Sequence, residues 1–417
     1  MSFISKETEA IKKTLFSFIK WILIALLTGT AGGIVGSLFH LSVGYATSLR
    51  SAQGWLLYIL PVAGLLIVLI YRFSHTENKS TNTIIESIQS GERVPIALMP
   101  AIFLSTVITH LCGGSAGREG AALQIGGSIG NFAGRLCKLD DTDVRIATLS
   151  GMSAVFSALF GTPLTATVFA LEVVSVGIIH YSAFVPCLTA SLAALGVSKL
   201  FGIAGEHFII PAVSLEWGML LRVAGLSILC ALLSILFCLV MHGSEHMLRK
   251  IIPDDFLRVF AGGAVIVGLT LLLRTGEFNG AGMESIKAAI EEGFARPDAF
   301  FWKLLFTAIT LGAGFKGGEV VPCFFVGATF GCVIGSLMGI PAGFAAAVGL
   351  VCVFCGAVNC PIASILLSVE LFGSGSVVYF AMSCAIAYML SGYFGLYSSQ
   401  RFIYSKLKAE MIDIRAK

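Results

Sequence analysis

Arg118 and Glu119 stand side by side in Gly113-Gly114-Ser115-Ala116-Gly117-Arg118-Glu119-Gly120, which runs on into Ala121-Ala122-Leu123-Gln124-Ile125-Gly126-Gly127. An apolar run, Val94 to Cys112, precedes the stretch, and another follows it. An ionisable pair at membrane depth is costly unless it faces a cavity or a partner, which makes it a functional candidate. The glycines permit sharp turns and close backbone approach. A helix beginning near Gly120 would aim bare N–H groups at whatever lies before it, the arrangement that binds anions without a full positive charge. A carboxylate beside such a site can occupy the anion's place when ionised and leave when protonated. The bland alternative is a solvated loop with Arg118 and Glu119 paired in water.

The surroundings decide against that alternative. The 417 residues are 56% hydrophobic and 12% charged, with a mean hydropathy of +0.91. Soluble domains are less apolar and about a quarter charged, so the chain is a polytopic membrane protein. A net charge of +3, with no basic run interleaved with aromatics, is too small to argue for nucleic acid, and no nucleic-acid partner is expected. The eleven cysteines lie mostly inside apolar runs and read as buried thiols. Cys352 and Cys355 form a C-x-x-C with no βαβ pattern around it, so neither a metal nor another cofactor is expected.

Residues 1–13 are polar and read as a cytoplasmic tail. Leu15 to Leu49 is long enough to span the bilayer, too long for a signal-peptide core, and carries Gly29, Gly32, Gly33 and Gly36 for close helix packing. Trp55 to Tyr71 is a second span, and polar residues 72–93 interrupt. From Gly113 to Gly202 the apolar segments are short and broken by glycine or proline. Trp217 to His242 is a full span, and residues 243–258 read as a polar loop. Val259 to Leu273 is apolar. The connector 274–298 holds a candidate surface helix at Met283 to Phe294. Broken segments return from Phe300 to Phe394, and Arg401 to Lys417 reads as a basic, amphipathic tail. Lysines before the first span and the basic end suggest cytoplasmic termini in a plasma membrane.

The broken segments match one another. Gly117-Arg118-Glu119-Gly120-Ala121 through Gly126 corresponds to Gly318-Glu319-Val320-Val321-Pro322 through Gly327. Gly161-Thr162-Pro163-Leu164, leading to Glu172, corresponds to Asn359-Cys360-Pro361-Ile362, leading to Glu370. Paired, interrupted hydrophobic segments point to a transport site at the interface of two repeats, here 14–215 and 216–395, followed by a C-terminal segment 396–417. Helices starting near Gly120 and near Val321 would direct their N-termini at a common anion.

These residues resemble the CLC anion channels and anion/proton antiporters over essentially the whole membrane domain. Gly117-Arg118-Glu119-Gly120 stands where that family has its GREGP motif, with Ala121 in place of proline, so Glu119 inherits the gating and proton-carrying role. Gly318-Glu319-Val320-Val321-Pro322 stands at the family's GxFxP, and Leu396-Tyr397-Ser398 at the segment carrying its anion-coordinating tyrosine; Tyr404 is a weaker candidate for that tyrosine. The resemblance implies an all-α, inverted-repeat fold of tilted, discontinuous helices, a homodimer, and no enzymatic activity.

The departures are informative. Where chloride-type members read GSGIP, this chain has Ser80-Thr81-Asn82-Thr83-Ile84, and Val173 replaces their intracellular proton-relay glutamate. Glu319 adds a second acid; two nearby carboxylates resist joint ionisation and can share a proton. Together these features resemble the fluoride/proton antiporter branch, which exports fluoride using the proton gradient. That resemblance implies proton transfer by Glu119 and Glu319, and an anion site at Thr81, Asn82, Gly120, Val320, Val321 and Tyr397. The alternatives are a chloride/proton antiporter, a passive anion channel, and an intramembrane hydrolase using Ser115 or Glu119. Glu172 and Glu370 are expected to be structural, His110 a packing residue, and Lys316 a vestibule residue.

Overall fold

The computed structural model describes residues 2–77 and 79–417. Among the described residues, sixteen α-helices fall into two consecutive sets of eight. The first set is α1 (Ser2–Ala52), α2 (Leu60–Phe73), α3 (Thr81–Ser90), α4 (Leu98–Leu111), α5 (Glu119–Leu136), α6 (Asp141–Phe160), α7 (Pro163–Glu172) and α8 (Phe184–Leu200). The second is α9 (Trp217–Ile251), α10 (Asp255–Leu273), α11 (Met283–Lys287), α12 (Ala299–Ala313), α13 (Val320–Leu337), α14 (Ala342–Val358), α15 (Pro361–Phe372) and α16 (Val377–Leu390). Seven of the described helices are long and apolar enough to cross a membrane, and five further apolar helices are shorter. The all-α, inverted-repeat fold expected from the sequence is the fold observed.

The sets correspond element by element, a long helix opening each and a short one in third place. At the centre of each lies a glycine-mediated helix pair. A Cβ on Gly126 of α5 would sit 2.2 Å from the Gly151 carbonyl oxygen of α6; one on Gly327 of α13 would sit 2.5 Å from that of Gly349 in α14. No side chain fits at either crossing, so backbones meet directly, the close approach that drives association where lipid supplies no hydrophobic force. The glycines of α1 act likewise: a Cβ on Gly29 would lie 2.6 Å from the Ala190 carbonyl oxygen of α8.

Helix lengths depart from the hydropathy boundaries. Residues 2–13, expected as a tail, continue α1, and residues 243–251, expected as a loop, continue α9. Hydropathy marks where a helix leaves the apolar core, and α9 goes on past that point with Arg249 bonded to Glu245 at 2.9 Å, an i,i+4 pair. The candidate surface helix near Met283 is present as α11 followed by a wide turn at Ala288–Glu292, with Ile286, Ala289 and Ile290 buried. The expected amphipathic tail is a small sheet instead. Strand β1 (Ser175–Val176) pairs in parallel with β2 (Arg401–Tyr404), and β2 pairs antiparallel with β3 (Met411–Arg415). All eleven cysteines are free. Cys352 and Cys355 direct their thiols at backbone carbonyls of Ser227, Ser383 and Cys384, which makes them packing residues.

Candidate functional site at the repeat interface

Each repeat breaks its helix run before the fifth element: residues 112–118 lead into α5, and 314–319 into α13. Gly117 and Gly318 meet there as an antiparallel bridge, each N–H donating to the other's carbonyl at 2.7 Å. Side chains and loops hold the first break in place. The Ser115 N–H donates to Thr310 Oγ1 at 3.1 Å, Ser115 Oγ meets Thr307 Oγ1 at 3.0 Å, and Asn279 Nδ2 donates to the Gly113 carbonyl at 2.8 Å. Among the described residues Ser115 thus contacts threonines, where a serine nucleophile would need a base beside it.

Two residues beyond the bridge on either side, α5 and α13 begin. Glu119, the first residue of α5, is fully buried. Its Oε2 accepts from the Arg118 N–H at 2.9 Å, and the Val321 N–H at the start of α13 also bears on this carboxylate. Its Oε1 lies 3.7 Å from Arg118 Nε and has no hydrogen-bond partner. Arg118 in turn reaches Glu206 Oε1 with Nη2 at 3.4 Å. The Glu119 carboxylate therefore lies among N–H donors from both half-helices, where an anion would be held.

A polar cavity of about 490 Å³ abuts the bridge, since Gly317, next to Gly318, is on its wall. Thr81, Asn82, Gln124, Lys316, Glu319 and Tyr397 also line it. Of the residues singled out in the sequence, Thr81, Asn82, Glu319 and Tyr397 therefore share one cavity. Glu119, Gly120, Val320 and Val321 are buried at the bridge and do not line it. Tyr397 is buried with its hydroxyl unpartnered. Tyr404 is about half exposed on β2 and packs against Gly177, far in character from a coordinating residue.

The expected hydroxyl and amide donors are partly committed. Thr81 Oγ1 donates to the Gly120 carbonyl at 3.3 Å and accepts from Gln124 Nε2 at 3.2 Å. Asn82 Oδ1 accepts from the Ser399 N–H at 3.1 Å, leaving its NH2 as the group with donors to spare. Ser80 and Thr83 close a capping box at the start of α3, so this segment opens a helix inside the polar stretch 72–93.

The remaining polar residues fall into place. Glu172, at the end of α7, accepts from the N–H groups of Ile362 (3.3 Å) and Ala363 (2.9 Å) at the start of α15. Glu370, near the end of α15, accepts from those of Leu164 (2.9 Å) and Thr165 (2.8 Å) at the start of α7. The two carboxylates cap each other's repeat helix, a structural role. His110 Nδ1 contacts the Thr106 carbonyl one turn earlier at 2.8 Å, as a packing residue does. The Lys316 ammonium lies 4.4 Å from the Tyr71 ring centroid on the cavity wall. Val173 is buried and its carbonyl accepts from Gln400 Nε2 at 2.9 Å.

Two site residues carried no assigned role in the sequence. Gln124 Oε1 is buried at the cavity without a partner; the one signal was a polar residue inside the apolar half-helix that follows Glu119. His242 contacts the Leu396 carbonyl through Nε2 at 3.0 Å, beside Tyr397, and lines the cavity. Nothing in the sequence linked those two segments.

A polar cavity beside two half-helix starts that a backbone bridge pins together, in a bundle of helices long and apolar enough to cross a membrane, fits a membrane ion-transport protein. Residues 62–392 match the family model described as voltage gated chloride channel, and the chain belongs to that family, the CLC proteins. It is 35% identical over 396 residues to the chloride/fluoride channel protein of Pseudomonas syringae pv. tomato, covering 93% of this chain and 87% of the relative. It is 25% identical over 387 residues to the H+/Cl− exchange transporter ClcA of Vibrio parahaemolyticus, covering 84% and 81%. The crystal structure of a CLC-type fluoride/proton antiporter superposes with a TM-score of 0.89 at 29% identity, covering 92% of this chain and 98% of that one. The family consists of transporters and channels rather than enzymes, and this member is a multi-pass membrane protein.

Proposed function

We propose that this protein exchanges fluoride for protons and exports fluoride at the expense of the inward proton gradient. The observation that carries the reading is the place of the Glu119 carboxylate: fully buried among N–H groups of both repeats, with one oxygen unpartnered. Ionised, it fills the anion position; protonated, it gives that position up, so anion and proton movement are linked through one side chain. Glu319, on the adjoining cavity wall, supplies the second proton-carrying group in a chain whose Val173 cannot do so. Gly120, Val320 and Val321 would offer backbone donors to the ion, and Tyr397 and Asn82 a hydroxyl and an amide. Thr81 would act mainly by tying α3 to α5. Residues 14–215 and 216–395 form the two repeats of one pathway, with cytoplasmic termini and two copies in the working dimer.

Fluoride is small and strongly hydrated, so its site must replace much hydration energy with well-aimed donors and still release the ion. Support for fluoride over chloride comes from the antiporter that superposes at 29% identity, while the name of the Pseudomonas relative gives both ions. The Vibrio relative, by its name, favours the second reading, chloride/proton exchange. Efflux from proteoliposomes loaded with equal fluoride and chloride, followed with ion-selective electrodes, separates the two. Fluoride should leave faster; equal rates or faster chloride would overturn the fluoride assignment.

A further inference from the structure

The chain beyond Tyr397 plays no part in the transport reading, yet it is built into the wall behind that tyrosine. The turn that carries Tyr397 is held at several points. The Leu396 N–H donates to the Ala357 carbonyl at 2.8 Å, and the Gln400 N–H closes back onto the Tyr397 carbonyl at 2.9 Å. Asn359, which ends α14 in the left-handed conformation with φ of 59°, is the hub. Its Nδ2 donates to the Phe394 carbonyl at 2.9 Å and to Gln400 Oε1 at 3.1 Å. Both bonds require the nitrogen of the amide to face the turn.

Lys406, in the connection between β2 and β3, sets that orientation. Its ammonium donates to Asn359 Oδ1 and, at 3.0 Å, to Ser391 Oγ, and it lies 4.5 Å from the Tyr388 ring centroid. An ammonium can only donate. It therefore selects the oxygen end of the Asn359 amide for itself and leaves the NH2 for Phe394 and Gln400. An amide turned the other way would place its oxygen against the Phe394 carbonyl and its NH2 against the ammonium. We propose that Lys406 is a positioning residue for the anion pathway: by fixing the Asn359 amide it fixes the Phe394–Gln400 turn, and with it the Tyr397 hydroxyl. This rests on reading the Tyr397 cavity as the pathway.

The test separates the two claims by using two readouts. 3-Fluorotyrosine placed at position 397 reports by 19F NMR whether that ring has one setting, whatever the protein transports. One narrow resonance is expected in the parent and several or a broadened one in Lys406→Met. The second readout is KM in proteoliposomes for whichever halide the parent carries. Lys406→Met should raise KM about tenfold with the maximal rate nearly unchanged, and should raise it less than about twofold in a Tyr397→Phe background, because the hydroxyl it positions is then gone. Lys406→Gln keeps a donor for Asn359 and should show the same pattern at smaller size, which covers the case in which the methionine variant fails to fold. A single narrow resonance in both Lys406 variants, or an equal rise in KM with and without the Tyr397 hydroxyl, would overturn the proposal. A parent that moves no halide would overturn the transport reading instead, and the resonance would still decide whether Lys406 positions Tyr397.

Discussion

Gly117 and Gly318 exchange two backbone hydrogen bonds of 2.7 Å each, and α5 and α13 start two residues after them. The bridge joins equivalent positions of the two repeats, so one pairing fixes both helix starts. It also satisfies four backbone groups that would otherwise be bare at membrane depth, where each costs several kcal/mol. The same two-residue offset places Glu119 at one helix start and Val320 at the other.

Gly318→Ala tests the bridge. Its Cβ would lie 2.5 Å from the Gly120 nitrogen and 2.8 Å from that of Glu119, both backbone atoms, so the two motifs must separate. Loss of halide transport is expected, with destabilisation of about 1–3 kcal/mol in thermal unfolding. Gly44→Ala is the control. Its Cβ meets nothing within 4 Å, and a helical alanine there should be neutral or stabilising by up to about 1 kcal/mol.

Glu119→Gln should leave the fold intact and abolish proton coupling. The carboxamide keeps the shape but carries no proton. Anion-driven proton movement in vesicles is the measurement, and coupling at the parent's level would take Glu119 out of the mechanism.

Glu319→Gln should also weaken coupling or alter anion selection, since this second acid lines the same cavity as Tyr397. Measured fluoride KM and fluoride-to-proton ratio both equal to the parent's would make Glu319 a bystander.

The reciprocal caps of Glu172 and Glu370 are expected to serve stability alone. Glu370→Ala removes the acceptor for the Leu164 and Thr165 N–H groups and for Thr165 Oγ1 at 2.6 Å. A loss of about 1–2 kcal/mol is expected, as for other helix caps, with the ion-to-proton ratio unchanged. A changed ratio at unchanged stability would assign it to transport.

The parts of this site that were legible in the sequence are those with a symmetric partner. Gly117 and Gly318, Glu172 and Glu370, and the two half-helix starts each announce themselves twice, and the repeat locates them without any coordinates. What stayed hidden depends on contacts between distant segments. Thr81 looked like a free donor because its bond to the Gly120 carbonyl spans 39 residues of sequence. His242 and Leu396 are 154 residues apart. The sheet formed by residues 401–404 and 411–415 was missed because two short strands, rich in charge, carry too little alternation to stand out from an amphipathic tail. The ends of α1 and α9 were misplaced because a helix can continue into water while its hydropathy falls.

The most direct test of the central claim is proton movement driven by a fluoride gradient. Vesicles containing the purified protein, loaded with fluoride and diluted into fluoride-free buffer at equal pH with the membrane voltage clamped, should take up protons as fluoride leaves. They should do so even against a modest opposing pH gradient, and a chloride gradient of the same size should drive less. Fluoride efflux with no proton uptake would contradict exchange and make the protein a channel.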